Sequence, residues 1–74
     1  VFNNDIEDTV DDGIHVNPSD YVDISYNDIT KTGGDGIHVI GGVGVDVWEN
    51  EVSNAKDDGI DIENHDNANV WKNY

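Results

Sequence analysis

The chain has 74 residues, few enough that only a modest core can be buried, and it has no cysteine, so disulfides cannot staple it. Three lysines (Lys31, Lys56, Lys72) stand against 17 Asp and Glu, with no arginine, and the net charge is −14. That sign excludes nucleic acid as a partner, since phosphate neutralisation needs a cationic surface. It argues equally against an anionic membrane surface, and no apolar run is long enough to enter a bilayer.

Taken from the N-terminus, the first predicted strands lie near 5–7, 13–17 and 21–25, each short and flanked by Gly, Asn and Asp. Their apolar residues recur every second position and are mostly branched, which is the strand period. The next three fall near 28–30, 36–40 and 44–48, and the last three near 51–53, 59–63 and 67–71. The spacing between sets is constant. Residues 1–23, 24–46 and 47–69 align without a gap, and 70–74 begin a fourth line. Val1, Ile24, Val47 and Val70 form one column, and Asn4, Asn27, Asn50 and Asn73 another. Ile6, Ile29 and Val52, then Asp12, Asp35 and Asp58, then Gly13, Gly36 and Gly59 follow. Ile14, Ile37 and Ile60 come next, with Val16, Val39 and Ile62 two residues on.

A unit of about twenty residues holding three strands is the size of one rung of a parallel β-solenoid. Identical columns then stack at about 4.8 Å, the strand spacing. Asp-Gly between hydrophobic residues is also a hairpin signal, but recurrence of whole columns at a fixed interval favours stacking. The inward set is Ile14, Val16, Val22, Ile24, Ile29 and their equivalents, with Thr9, Thr32 and Ala55 at a corner. The chain is expected to be one all-β segment, 1–74.

The stretches "VDISYNDI" (22–29) and "DGIHV" (35–39) resemble the right-handed parallel β-helix repeat of the pectin-lyase-like superfamily, and the likeness runs over the whole chain. It implies a right-handed, single-stranded β-helix of three 23-residue rungs, with an asparagine at a tight turn. It does not imply one function, since that superfamily includes polysaccharide-cleaving enzymes, tailspikes and structural fibres.

The asparagine column is expected to form a ladder of side-chain amides, each residue tolerating a left-handed bend. The glycine column permits positive φ or close backbone approach. The acidic columns are Asp12, Asp35 and Asp58, with Asp5, Asp28 and Glu51, and Asp23 and Asp46. Carboxylates one rung apart repel by roughly 1 kcal/mol in water and 3–4 kcal/mol at an effective dielectric of 20. Oxygens about 2.4 Å from calcium on opposite sides span the same 4.8 Å, so calcium can bridge rungs. The candidate ligands are Asp11, Asp12, Asp35, Asp46, Asp57 and Asp58. The alternative is that each Asp caps a turn through backbone N–H groups. "GGVGVDVWE" (41–49) also fits one nonapeptide of calcium-binding β-rolls, although the 23-residue period and the inward side of Val47 conflict with that register.

His15, His38 and Asp61 form an outward column. Such a line has the residue types for a transition metal or for acid–base work. Side chains in one column point in parallel, however, so an exposed ladder is the simpler expectation. "DDGIDI" (57–62) is similar to a catalytic segment of polygalacturonase-type hydrolases, which would place Asp58 at an aspartate of that site. The same tripeptide recurs in the other rungs and the family's partner residues are missing, so no catalytic residue is assigned. Phe2, Trp48 and Trp71 share an outward column interrupted by Ser25, and suit sugar stacking or self-association.

The absence of methionine, even at position 1, reads as a processed chain or a piece of a longer one. Open strand edges at both ends of a three-rung coil invite other copies of the chain, or adjacent rungs of a longer one. The expectation is an extracellular or cell-surface fibre or stalk, with calcium and polysaccharide as the ligands to test. The alternative is part of a carbohydrate-active β-helix protein.

Overall fold

A computed structural model of the chain describes residues 1–17, 20–63 and 68–73. Among these residues nine strands follow in order: β1 (Asp5–Thr9), β2 (Ile14–Val16), β3 (Val22–Ser25), β4 (Asp28–Thr32), β5 (Ile37–Ile40), β6 (Val45–Trp48), β7 (Glu51–Ala55), β8 (Ile60–Glu63) and β9 (Asn69–Trp71). They form three parallel sheets of three, β1-β4-β7, β2-β5-β8 and β3-β6-β9. Every pairing joins residues 23 apart, such as Ile6 to Ile29 to Val52 and Val22 to Val45. The chain is therefore a three-rung parallel β-helix.

The core follows from alternation. Ile24, Ile29, Ile37, Val39, Val45 and Val47 are wholly buried and Ile14 nearly so, with Ile6, Val16, Val22, Val52, Ile60 and Ile62 packed against them. Branched side chains suit this position because they fill the tube with few rotamers to lose. Burial is graded along the axis. In the column Val1, Ile24, Val47 and Val70, exposure runs 52%, 0%, 0% and 47%. The central rung is sealed and the two outer ones are half open.

The bends are built at left-handed residues, again in columns. Asn3, Tyr26, Glu49 and Lys72 have φ of 51–56°, as do Asp8, Lys31 and Asn54, while Tyr21 stands over Gly44. The expectation that the ladder asparagines themselves take this conformation is corrected: the residue before each of them does. These non-glycine residues carry a conformational cost of about 1 kcal/mol each, offset where the neighbouring rungs hold the backbone in place.

The Gly13, Gly36 and Gly59 column has no positive φ. Gly13 and Gly36 are required by closeness: a Cβ at Gly36 would sit 2.6 Å from the Gly59 carbonyl oxygen and collide with the Val52 side chain, whereas a Cβ at Gly59 would have Val52 Cγ1 at 4.0 Å. The strands near 5–7, 28–30 and 51–53 each run two residues further than expected, to Thr9, Thr32 and Ala55. Thr9 and Thr32 hydroxyls donate to the carbonyls two residues on, at 2.9 and 3.1 Å, which fixes that corner. Residue 67, the expected start of the last strand, lies outside the described residues, as do Pro18 and Ser19.

Candidate functional site

The turns between β1 and β2, and between β4 and β5, carry Asp12 and Asp35 into the strand that follows. Each uses one carboxylate oxygen between rungs: Asp12 Oδ1 accepts the Asp35 N–H at 2.8 Å, and Asp35 Oδ1 accepts the Asp58 N–H at 2.9 Å. The acidic column is thus a ladder in which side chains accept backbone protons from the next rung. A charge-assisted bond of this kind is stronger than a neutral one.

The second oxygen of Asp12 faces outward, where the strands β2 and β5 begin. Asp12 Oδ2 lies 2.9 Å from His15 Nδ1 and 3.1 Å from His38 Nδ1. The two imidazoles stand edge to face, centroids 4.9 Å apart. His15 Nε2 is 3.2 Å from Asn17 Oδ1, and His38 Nε2 is 3.2 Å from Glu63 Oε2. Asp35 Oδ2 is 3.6 Å from His38 Nδ1, and Asp61 Oδ2 is 3.8 Å from His38 Nε2. His38 is therefore enclosed by four carboxylates.

These contacts set the protonation preferences. Asp12 is held below its ordinary value by its bond to His15, then by the Asp35 N–H and His38, against opposition from burial. His38 is raised by Glu63 and by Asp12, with Asp35 adding attraction, and burial opposes them. His15 is raised by Asp12 and then Asn17. Asp61 is raised by burial, then by the charges of Glu63 and Asp35.

The convergence of the Asp12 and His15 columns was not expected. The signal was present as Asp-x-x-His, recurring at 12/15 and 35/38 and replaced by Asp at 58/61. The parallel arrangement expected of one outward column does not hold for His15 and His38, whose rings stand 74° apart, and the turn residue three positions before His15 lies on the same face.

The other candidates sit elsewhere. Gly34 separates Asp11 from Asp57 in the stack; its N–H donates to the Asp11 carbonyl, and its carbonyl accepts from Asp57 N–H. The two carboxylates are thus two rungs apart. Asp46 pairs in register with Asp23 and accepts from Asn69 Nδ2 at 3.1 Å. Phe2 bridges to Ser25, Ser25 pairs with Trp48, and Trp48 with Trp71. Trp48 and Trp71 stack with planes 1° apart and centroids 5.6 Å apart, and Tyr26 packs edge-on against Trp48. Trp48 Nε1 donates to Asp23 Oδ1 at 3.1 Å. Ser25, in the same column, is buried.

The four asparagines form a continuous ladder. The Nδ2 of Asn4, Asn27 and Asn50 donates to the Oδ1 of the next at 3.0, 2.9 and 3.0 Å. The same oxygens accept the preceding rung's backbone N–H at 3.0–3.1 Å. The remaining amide hydrogens of Asn27, Asn50 and Asn73 bond to the Val1, Ile24 and Val47 carbonyls.

Stacked parallel rungs, an asparagine ladder and a sealed aliphatic tube define a β-helix solenoid. The model of the right-handed β-helix region matches residues 1–74, and the chain belongs to that family. No curated protein and no solved structure matches it significantly.

Proposed function

We propose that this chain is a structural segment of an extracellular or cell-surface fibre or stalk, in which rungs add end to end. One observation carries the reading: the Val1–Ile24–Val47–Val70 column is sealed inside and half exposed at both ends. Burying the two outer valines against further rungs would contribute about 1 kcal/mol each. Two other columns continue the same way. Trp71 has one face on Trp48, and the asparagine ladder repeats its bonds unchanged from rung to rung. The added rungs belong to other copies or to the same polypeptide.

Electron micrographs and sedimentation of the purified chain test this. Filaments or a concentration-dependent series of oligomers is the expected result. A well-folded species that stays monomeric at high concentration would overturn self-stacking.

Calcium enters this reading as a counterion. Asp5, Asp28 and Glu51 pair in direct register, as do Asp23 and Asp46. Among the described residues the lysine ion pair is Lys72 with Glu49, at 3.9 Å, which leaves those columns without a lysine partner. Chelation at low salt should lower the melting temperature, and an unchanged melt would remove calcium from the account. Polysaccharide binding would have to use the tryptophan column. There the rings lie face to face on each other, which favours continued stacking of rungs over stacking on sugars.

A further inference from the structure

We propose that Asp12, His15 and His38 form a binding site for a divalent transition metal of the zinc class, which ties the first rung to the second. The proposal is independent of the fibre reading. It rests on how the two imidazoles are held. Each has its Nε2 against an oxygen, Asn17 Oδ1 for His15 and Glu63 Oε2 for His38, both at 3.2 Å. An oxygen acceptor there supports the Nε2–H tautomer, the arrangement that outer residues impose on metal-bound histidines. In that tautomer both Nδ1 atoms carry lone pairs, and both point at one carboxylate oxygen, Asp12 Oδ2, at 2.9 and 3.1 Å. Two lone pairs and an anion repel at that distance, so a cation must occupy the space between them, either a proton or a metal.

The spacing suits the metal. Ligands about 2.0 Å from a tetrahedral zinc stand about 3.3 Å apart. The Asp12–His15 and Asp12–His38 separations are close to that value, and the three donor atoms all lie within 4.8 Å of one another. Asp35 Oδ2, 3.6 Å from the same His38 nitrogen, is the next oxygen available to the metal. Imidazole selects zinc, nickel or copper over calcium, which prefers an all-oxygen shell. His15 is 43% exposed at its side chain, so an ion has an open approach. Asp12 and His15 belong to the first rung and His38 to the second, paired in register with His15. The metal would staple two rungs of a small chain without disulfides.

The test uses the tag-free, metal-stripped chain, titrated with Zn²⁺ by calorimetry and with Co²⁺ by visible absorption. The expected result is saturable Zn²⁺ binding that equal Ca²⁺ does not displace, tetrahedral Co²⁺ bands, and a higher melting temperature with Zn²⁺. His15→Ala and His38→Ala should each weaken binding roughly tenfold or more. Zn²⁺ affinity in the His15 and His38 variants equal to that of the unmutated chain, or full displacement by Ca²⁺, would overturn the proposal in favour of diffuse carboxylate binding. Should His38→Ala fail to fold, His15→Ala decides, together with the imidazole ¹⁵N shifts of the unmutated chain. Unmoved Nδ1 signals of His15 and His38 on Zn²⁺ addition would overturn it.

Discussion

Asn50→Ala removes the centre of the asparagine ladder. Asn50 is wholly buried, and its side chain makes four hydrogen bonds. Oδ1 accepts from the backbone N–H and the Nδ2 of Asn27; Nδ2 donates to the Ile24 carbonyl and to Asn73 Oδ1. Alanine leaves two donors of the buried Asn27 without a partner. Each orphaned donor costs about 1–3 kcal/mol, so the variant should lose roughly 3–4 kcal/mol. A domain of this size holds on the order of 4–11 kcal/mol, and such a loss lowers the melting temperature by roughly 12–32 °C. Asn4→Ala is the matched control. Asn4 is exposed, and Asn27 Oδ1 keeps the Asn4 backbone N–H at 3.1 Å, so no buried donor is orphaned. Its cost should stay below about 1 kcal/mol. Asn50→Asp should be worse than alanine, because an oxygen then faces the Ile24 carbonyl and Asn73 Oδ1. Thermal and urea unfolding followed by circular dichroism measures all three. Equal losses for Asn50→Ala and Asn4→Ala would refute the reasoning, since the difference between them is the ladder's buried partners.

Three further outcomes are expected. In metal-free buffer the His38 contribution should be complete below its ordinary value of 6.5 and lost as pH rises through its raised folded value. That of Asp12, whose folded value is lowered, should be present above 3.8 and lost on further acidification. Melting temperature against pH should show both limbs, and His38→Gln should flatten the upper one. Gly36→Ala should destabilise by about 1–3 kcal/mol, because its Cβ meets Val52 and the Gly59 carbonyl. Gly59→Ala, whose nearest contact is Val52 Cγ1 at 4.0 Å, should cost under about 0.5 kcal/mol, and equal unfolding midpoints would refute the difference. Replacing Val70 with lysine should suppress higher oligomers in sedimentation while leaving the secondary-structure spectrum intact; undiminished oligomers would exclude that end as a stacking face.

The rung was legible because two regularities coincide in the sequence. Alternation places Ile37 and Val39 inward, and the 23-residue interval places Ile14 and Ile60 against Ile37. Each column then repeats the same test, so errors in single positions cancel. The bends were less legible. The left-handed column holds Asn3, Tyr26, Glu49 and Lys72, four unlike side chains, because the backbone of neighbouring rungs imposes the conformation. Glycine was informative about place but ambiguous about cause, and closeness to Val52 decides it at Gly36. The Asp12–His15–His38 cluster needs the path of the turn at Gly13, which column alignment leaves out. The alignment treats positions 12 and 15 as separate lines, whereas the turn folds them onto one face.

The register has no offset at any rung, and every strand pairing joins like positions. A block of 23 residues is therefore a cassette whose upper and lower faces repeat the same strand register and the same asparagine-ladder bonds. Duplicating or deleting one such block keeps the backbone register and the asparagine ladder of every remaining junction, wherever in the repeat the cut is made. Length in such a protein can change in whole steps by recombination between its own repeats, without a new interface having to arise.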